Sequence, residues 1–77
     1  MASVKLIFFS AAAEATGFSE QQVIAIDTAA VRKNLNEKFP QLGKLNYAIA
    51  VNHKLVNANF ILSDGDIVAI LPPFSGG

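Results

Sequence analysis

The sequence is short, apolar and electrically balanced: its 77 residues are 52% hydrophobic and 16% charged, with six basic and six acidic side chains. This length predicts a single domain, residues 1–77, near the lower limit for folding on a hydrophobic core alone. The composition argues against intrinsic disorder, and the scattered basic residues give no electrostatic support for binding nucleic acid or a membrane surface. The absence of cysteine excludes disulfides, thiolate metal sites and cysteine nucleophiles.

The first predicted elements are two strands joined by a helical turn. Residues 4–9 and 21–27 are runs of β-forming side chains. Between them, SAAAEATG is typical of a short helix with Ser10 as its cap and Gly17 in the left-handed conformation after its end. The apolar start carries one lysine and is too short to cross a membrane, so we expect a cytoplasmic protein.

An amphipathic helix is predicted next. Asp27 or Thr28 can cap its start, and Pro40 is expected to stop it. Apolar residues recur every four positions, which predicts one buried stripe. The stripe consists of Val31, Leu35 and Phe39.

The remaining chain predicts three short strands. NYAIAVNHKLV indicates a strand, a turn near residues 52–54 and a brief return strand. The turn sequence SDGD then precedes a last strand at residues 66–71.

This order of elements predicts an α+β fold with one mixed sheet packed on one main helix. It suits the ubiquitin-like β-grasp arrangement, in which the first and last strands lie side by side in the centre of the sheet. Residues 72–77 are predicted to form a flexible C-terminal Gly-Gly tail, an extended arm beyond the packed part of the domain.

Strand periodicity predicts apolar residues on both faces of the sheet, because alternate residues point to opposite faces. The predicted inward set is Val4, Leu6, Phe8, Val68 and Ile70. The predicted outward set, besides Lys5, is Ile7, Phe9, Ile67, Ala69 and Leu71. One helix covers only one face, so the outer face is predicted to bind a partner. Its burial beneath a loop or the short helix is the alternative.

The arm combines a stiff base with a slender tip. Pro72 and Pro73 fix φ and favour an extended chain, which directs the arm away from the sheet. Gly76 and Gly77 have no β-carbon and can pass through a narrow channel. The chain after Leu71 reaches at most about 20 Å, which suffices to enter a buried site in a docked partner.

Three segments together resemble one known family. VKLIFFSAAAEATG, AVNHKLV and LSDGDIVAILPPFSGG look like the MoaD-type small subunit of molybdopterin synthase, within the MoaD/ThiS family of ubiquitin-like sulfur carriers. The resemblance covers essentially the whole chain. Its most specific part is the ending, where a strand, two prolines and Gly-Gly occur together.

The resemblance implies a protein that is itself a substrate of sulfur chemistry. In the family, a ubiquitin-activating-like adenylyltransferase uses ATP to adenylate the terminal carboxylate, and a sulfur donor protein converts it to a thiocarboxylate. Molybdopterin synthase is a heterotetramer in this family, and its large subunit uses that sulfur to build the molybdopterin dithiolene. The resemblance implies that in this chain the chemistry would fall on the carboxylate of Gly77, with Gly76 providing clearance, and that no cofactor would be bound stably.

The predicted partner-binding residues lie on the outer sheet face and the arm. They are Ile7, Phe9, Leu55, Leu71, Pro72, Pro73 and Phe74. Phe74 is larger than the family pattern leads us to expect, so it is either an anchor in a partner groove or an exposed aromatic. Its bulk bears on how wide the partner's channel must be.

No residue pattern predicts an autonomous active site or a metal site. His53 lies in a predicted turn without an accompanying acid, nucleophile or second ligand. Asp64 and Asp66 flank a glycine in a turn sequence, which favours a structural role over a catalytic carboxylate pair. Ser75 has no paired base. The chain is therefore expected to act as a non-catalytic, sulfur-donating subunit.

Two alternatives to this function stay open at the sequence level. One is a ubiquitin-like modifier or binding module, whose terminal glycine is joined to lysines of other proteins or whose sheet face merely docks. The other is sulfur transfer to a different recipient: thiamine, a tungsten cofactor or a thiolated tRNA.

Overall fold

The computed structural model describes residues 1–72, so the predictions for Pro73, Phe74, Ser75, Gly76 and Gly77 lie outside the described residues. The strands are β1 (Ala2–Phe8), β2 (Glu20–Ala25), β3 (Ala48–Val51), β4 (Lys54–Leu55) and β5 (Ile67–Leu71). The helices are α1 (Ala11–Thr16), α2 (Thr28–Lys38) and α3 (Pro40–Gly43).

The strands form one five-stranded mixed sheet in the order β2-β1-β5-β3-β4. β5 lies at the centre, parallel to β1 and antiparallel to β3. The predicted pairing of the first and last strands is therefore confirmed. This topology makes the strand that leads into the arm the most internal strand of the sheet.

The core lies between the inner face of the sheet and the helices. Val4, Leu6, Phe8, Val68 and Ile70 are at most 3% exposed, which confirms the predicted inward set. The helices contribute further buried side chains to the same cluster, namely Ala12 of α1, Val31 and Leu35 of α2, and Leu42 of α3. Among residues 1–72, no helix has the length and apolarity needed to cross a bilayer.

The prediction for α1 is confirmed at its C-terminal end and wrong at its N-terminal end. Gly17 adopts φ 80°, and its N–H donates to the carbonyl of Ala13 at 2.8 Å, as expected for a left-handed C-cap. The predicted side-chain cap by Ser10 is wrong. Ser10 adopts φ 48° and makes no side-chain capping bond, whereas its backbone carbonyl accepts from Glu14 N at 3.1 Å.

Asp27 caps α2 as predicted. One carboxylate oxygen accepts from Ala30 N at 2.8 Å, and the other accepts from Asn59 Nδ2 at 3.0 Å. These hydrogen bonds, with that of Asn59 the stronger cause, hold the pKa of Asp27 below its usual value.

The end of the helical region differs from the prediction. α2 ends at Lys38, and Phe39 is a half-buried residue between two helices instead of the last member of a helical stripe. Pro40 does not simply end helical structure, because it is the first residue of α3. Proline is compatible with a first helical position, where its missing N–H has no intrahelical partner to lose.

Candidate functional site

The outer face of the sheet carries a continuous row of apolar side chains. Ile7 lies beside Ala69, Ala69 beside Ala50, and Ala50 beside Leu55, so the row crosses β1, β5, β3 and β4. Leu71 lies beside Ala48, and Ile67 lies beside Lys5. We define the docking patch as Ile7, Phe9, Ala48, Ala50, Leu55, Ile67, Ala69 and Leu71.

Much of the docking patch is accessible. Leu55 is 67% exposed, Phe9 46% and Ile67 36%, while Ile7 and Leu71 are half-buried. Large apolar side chains exposed together on one strand surface mark an interaction surface more strongly than the same side chains scattered singly. The patch is therefore the candidate docking surface of the described chain.

Next to the docking patch, β1 and β2 carry polar side chains on this face, and the exposed Ile24 lies further along β2, opposite Ser3. Lys5 Nζ lies 3.8 Å from Glu20 Oε2, and Gln22 Nε2 donates to Ser3 Oγ at 3.1 Å. These side chains border the docking patch along β1. An apolar centre beside a polar rim is the arrangement expected of a protein–protein interface.

Within residues 1–72, neither α1 nor the segment after β4 lies over the docking patch, although Ala50 at its centre is only 5% exposed. α1 contacts α3, and its Ala12 and Thr16 are buried. The segment after β4 turns to the opposite edge of the sheet, where Leu62 N donates to Ile26 O at 3.0 Å. The exposure of Phe9, Leu55 and Ile67 argues against the alternative in which a loop or the short helix buries the outer face.

The first residue of the arm, Pro72, lies next to the docking patch. β1 and β5 are parallel, so Phe9 and Leu71 lie at the same edge, where Phe9 N donates to Ile70 O at 3.2 Å. Pro72 follows directly and is half-buried. A partner bound on the patch thus lies close to the point where the arm begins. The predicted roles of Pro73, Phe74, Gly76 and Gly77 lie outside the described residues.

The other end of β5 is held by a polar clamp. Asp66 accepts from Ser63 N at 2.8 Å and from Asn52 Nδ2 at 2.9 Å, and Asn52 Oδ1 accepts from Ile67 N at 3.0 Å. The Ser63 bond and then the Asn52 bond hold the pKa of Asp66 below its usual value. These contacts fix the start of the strand that carries the arm.

The acidic turn is structural, as predicted. Asp64 Oδ1 accepts from Ser3 N at 2.8 Å, and Gly65 between the aspartates adopts φ 88°. Within residues 1–72 no group of three side chains could hold a metal ion. Asp64 and Asp66 therefore anchor β1 and β5 at this end of the sheet.

His53 is an exposed turn residue, also as predicted. It and Asn52 adopt φ 72° and 49° in the connection between β3 and β4. Positive φ at both central residues is the requirement of the type I′ turn, one of the two common two-residue hairpin turns. The position is thus explained by the turn.

The site contains residues that the predicted partner-binding set lacks. Ile67, Ala69, Ala48 and Ala50 belong to the docking patch because of the β5 and β3 registers. Strand alternation also places Ile67 and Ala69 outward. The two alanines of β3 required the register of that strand, which the sequence alone does not fix.

Known proteins resemble this chain in sequence and in fold. The sequence pattern of the ThiS family matches residues 6–77, which is nearly the whole chain. The chain belongs to the ThiS family. A molybdopterin synthase sulfur carrier subunit from Caenorhabditis briggsae is 33% identical over an alignment that covers 100% of both chains.

Solved structures share the fold over almost the whole chain. The small archaeal modifier protein 1 of Methanosarcina acetivorans matches with a TM-score of 0.86 and 27% identity, covering 100% of this chain and 98% of that one. A chain from the complex of subunits 1 and 2 of the molybdopterin-converting factor of Helicobacter pylori 26695 has a TM-score of 0.74 and 32% identity, covering 97% and 99%. The predicted ubiquitin-like β-grasp fold is confirmed.

Proposed function

We propose that this protein is the sulfur carrier subunit of a molybdopterin synthase and carries its sulfur on the carboxylate of Gly77. The observation that carries the proposal is the position of Leu71 and Pro72, where the central strand ends and the arm begins beside an exposed apolar patch. The full-length likeness to a molybdopterin synthase sulfur carrier subunit supports it.

The chemistry requires an activated carboxylate. A free carboxylate is a poor acyl electrophile, because its oxygen is a poor leaving group. Attack of the Gly77 carboxylate on the α-phosphorus of ATP gives an acyl-adenylate and releases pyrophosphate. Sulfur delivered by a donor protein at the oxidation level of hydrosulfide then adds at the carbonyl carbon, the bond from that carbon to the AMP oxygen breaks, AMP leaves, and a thiocarboxylate remains.

The thiocarboxylate then delivers its sulfur to the pterin in the large subunit. Transfer of sulfur to the dithiolene and hydrolysis of the acyl group return the carboxylate of Gly77, so the carrier is regenerated. The carrier binds no resident cofactor in this cycle, and the activating enzyme supplies the ATP site. We place the cycle in the cytoplasm.

The fold supports this cycle by separating docking from chemistry. The polar clamp and the central place of β5 give the arm a fixed origin. The docking patch supplies binding free energy to a partner without involving the reactive carboxylate. The same patch can therefore present the arm first to the adenylyltransferase and then to the large synthase subunit.

Intact-mass measurement tests the proposal. The protein is incubated with ATP, its activating enzyme and a sulfur donor, and the expected product has one oxygen replaced by one sulfur. That product, added to the large subunit with a pterin precursor, should yield molybdopterin and return to its original mass. A carrier that is never thiocarboxylated under these conditions would contradict the proposal.

A second candidate function is protein modification. It is favoured by the structural likeness to a small archaeal modifier protein. The same incubation distinguishes it, because an isopeptide bond between Gly77 and a lysine adds the mass of a whole protein. Sulfur transfer to a recipient other than molybdopterin would give the thiocarboxylate without dithiolene formation.

A further inference from the structure

A second concave surface lies between α2 and the loop after β4, on residues that do not belong to the docking patch. This cleft has a volume of about 340 Å³, within the size range of small-molecule sites. Its lining residues are Thr28, Ala29, Arg32, Lys33, Asn36, Val56, Asn57, Ala58 and Asn59.

The charged side chains that line the cleft are all basic. Arg32 and Lys33 line it, and no acidic side chain is among its lining residues. The ion pair found within residues 1–72 joins Lys5 to Glu20, on the outer face of the sheet. The two cations are therefore the only charged side chains that line the cleft within the described chain. The carboxylate of Asp27 borders it at the start of α2, where Oδ2 accepts from Asn59 Nδ2 at 3.0 Å.

Arg32 is held in place by Tyr47. Its guanidinium carbon lies 4.8 Å from the centre of the Tyr47 ring, and Nη1 donates to the Tyr47 carbonyl at 3.3 Å. A guanidinium carries further N–H groups, which suit the paired oxygens of a carboxylate or phosphate. Stacking on the ring lowers the entropy that Arg32 must lose on binding such a group.

Neighbouring amides complete a donor-rich wall. Asn36 Oδ1 accepts from Tyr47 Oη at 2.9 Å, which leaves its N–H₂ group for another acceptor. The facing loop is also fixed, because Asn59 Oδ1 accepts from Ala29 N at 2.9 Å and Phe60 N donates to Thr28 Oγ1 at 3.0 Å. These bonds already occupy the start of α2, so the cleft's cationic character comes from side chains.

We propose that this cleft binds a small organic anion, with its phosphate or carboxylate group against Arg32 and Lys33. The apolar side chains of Val56 and Ala58 would contact the rest of the ligand. A concave volume bounded by two fixed walls favours a small molecule over an extended acidic peptide. The proposal is independent of the sulfur carrier function.

The test is a titration of the ¹⁵N-labelled full chain, followed by NMR at constant ionic strength. The probes are inorganic phosphate, AMP and citrate. We expect saturable shifts of amide signals along the cleft, with AMP or citrate binding at least about fivefold more tightly than inorganic phosphate, because the larger anions reach both walls. Tighter binding of AMP would identify the ligand class as organic phosphates, and tighter binding of citrate would identify it as polycarboxylates.

Two matched lysine variants decide whether the cleft or general charge is responsible. Lys33 lines the cleft, whereas Lys38 lies on the same helix and lines a different surface depression. Lys33→Gln should weaken binding of the preferred probe about fivefold, the size expected for loss of one charge-assisted hydrogen bond at an exposed site, and Lys38→Gln should change it little. Arg32→Lys, which keeps the charge but loses the planar donor pair, should also weaken binding.

Three results would overturn the proposal. The first is the absence of saturable shifts with all three probes. The second is an equal loss of binding in Lys33→Gln and Lys38→Gln, which would indicate unspecific attraction. The third is a tetraglutamate peptide that binds more tightly than every small probe, which would assign the cleft to an acidic segment of a protein.

Discussion

The two faces of the sheet are built from the same strands but lie in different environments. On the inner face Leu6, Val68 and Ile70 are at most 1% exposed. On the outer face Ile67 is 36% and Leu55 is 67% exposed. Burial in the core explains the apolar residues of the inner face, whereas no element of residues 1–72 explains those of the outer face. The apolar side chains of the outer face therefore indicate a binding function, whereas those of the inner face stabilise the fold.

The largest expected effect is a difference in stability between matched leucines on the two faces. Leu6→Ala should lower the free energy of unfolding by about 2–5 kcal/mol, because it leaves a cavity in the core. Leu55→Ala should change it by less than about 0.5 kcal/mol, since the side chain is already largely in water. Urea unfolding of both variants measures this difference. Ile70→Val, a smaller change in the core, should lower the free energy of unfolding by about 1 kcal/mol. Equal losses for the two leucines would refute the assignment of faces.

A charge placed in the docking patch should separate binding from folding. Phe9→Glu should weaken binding to the large synthase subunit at least about tenfold, because the glutamate would be desolvated in the interface. Ile24→Glu is the control, since Ile24 is 64% exposed on edge strand β2, outside the patch. Calorimetric titration and thermal melts are the measurements. If both variants lost binding equally, or if Phe9→Glu unfolded the protein, the patch would not be the docking surface.

The prolines at the base of the arm should affect transfer more than stability. Replacing Pro72 and Pro73 with glycine should slow sulfur transfer about fivefold, because a looser arm loses more conformational entropy when it enters the partner. The free energy of unfolding should remain nearly unchanged. Single-turnover transfer at limiting partner concentration tests this, and an unchanged rate would remove the proposed role of the prolines.

The smallest expected effect is a dependence of stability on acid pH. The pKa values of Asp27 and Asp66 are lowered in the fold from the usual 3.8. Their contribution is therefore complete above the unfolded pKa and is lost as the pH falls below about 4 through the folded values. Urea midpoints between pH 7 and pH 2 should decline in this window, and less steeply in Asp66→Asn. An identical decline in that variant would show that the clamp does not contribute.

The sequence predicts the features that depend on local chemistry or strand alternation. The inward set of β1 and β5, the left-handed Gly17 and the Asp27 cap are confirmed because each follows from short-range geometry. The Ser10 side-chain cap is wrong because the chain adopts φ 48° there and the backbone carbonyl supplies the bond instead. The sequence does not predict α3, because proline at position 40 is compatible both with the end of one helix and with the first residue of the next.

The candidate site is predictable in part for the same reason. Ile7, Phe9 and Leu71 follow from alternation along their own strands. Ala48 and Ala50 join the patch through pairing with β5, which depends on contacts distant in sequence. The cleft beside Arg32 likewise depends on the packing of the 56–59 loop against α2, and no local pattern predicts it.

The most direct test of the proposed function alters the terminal carboxylate without touching either face of the sheet. One variant lacks Gly77 and another carries one added residue, which moves the reactive carbon by about 3.5 Å. Thermal melts and binding to the large subunit should match the native protein, while ATP–pyrophosphate exchange by the activating enzyme should fall to background for both variants. Full exchange with either variant would contradict a reactive role for the carboxylate of Gly77.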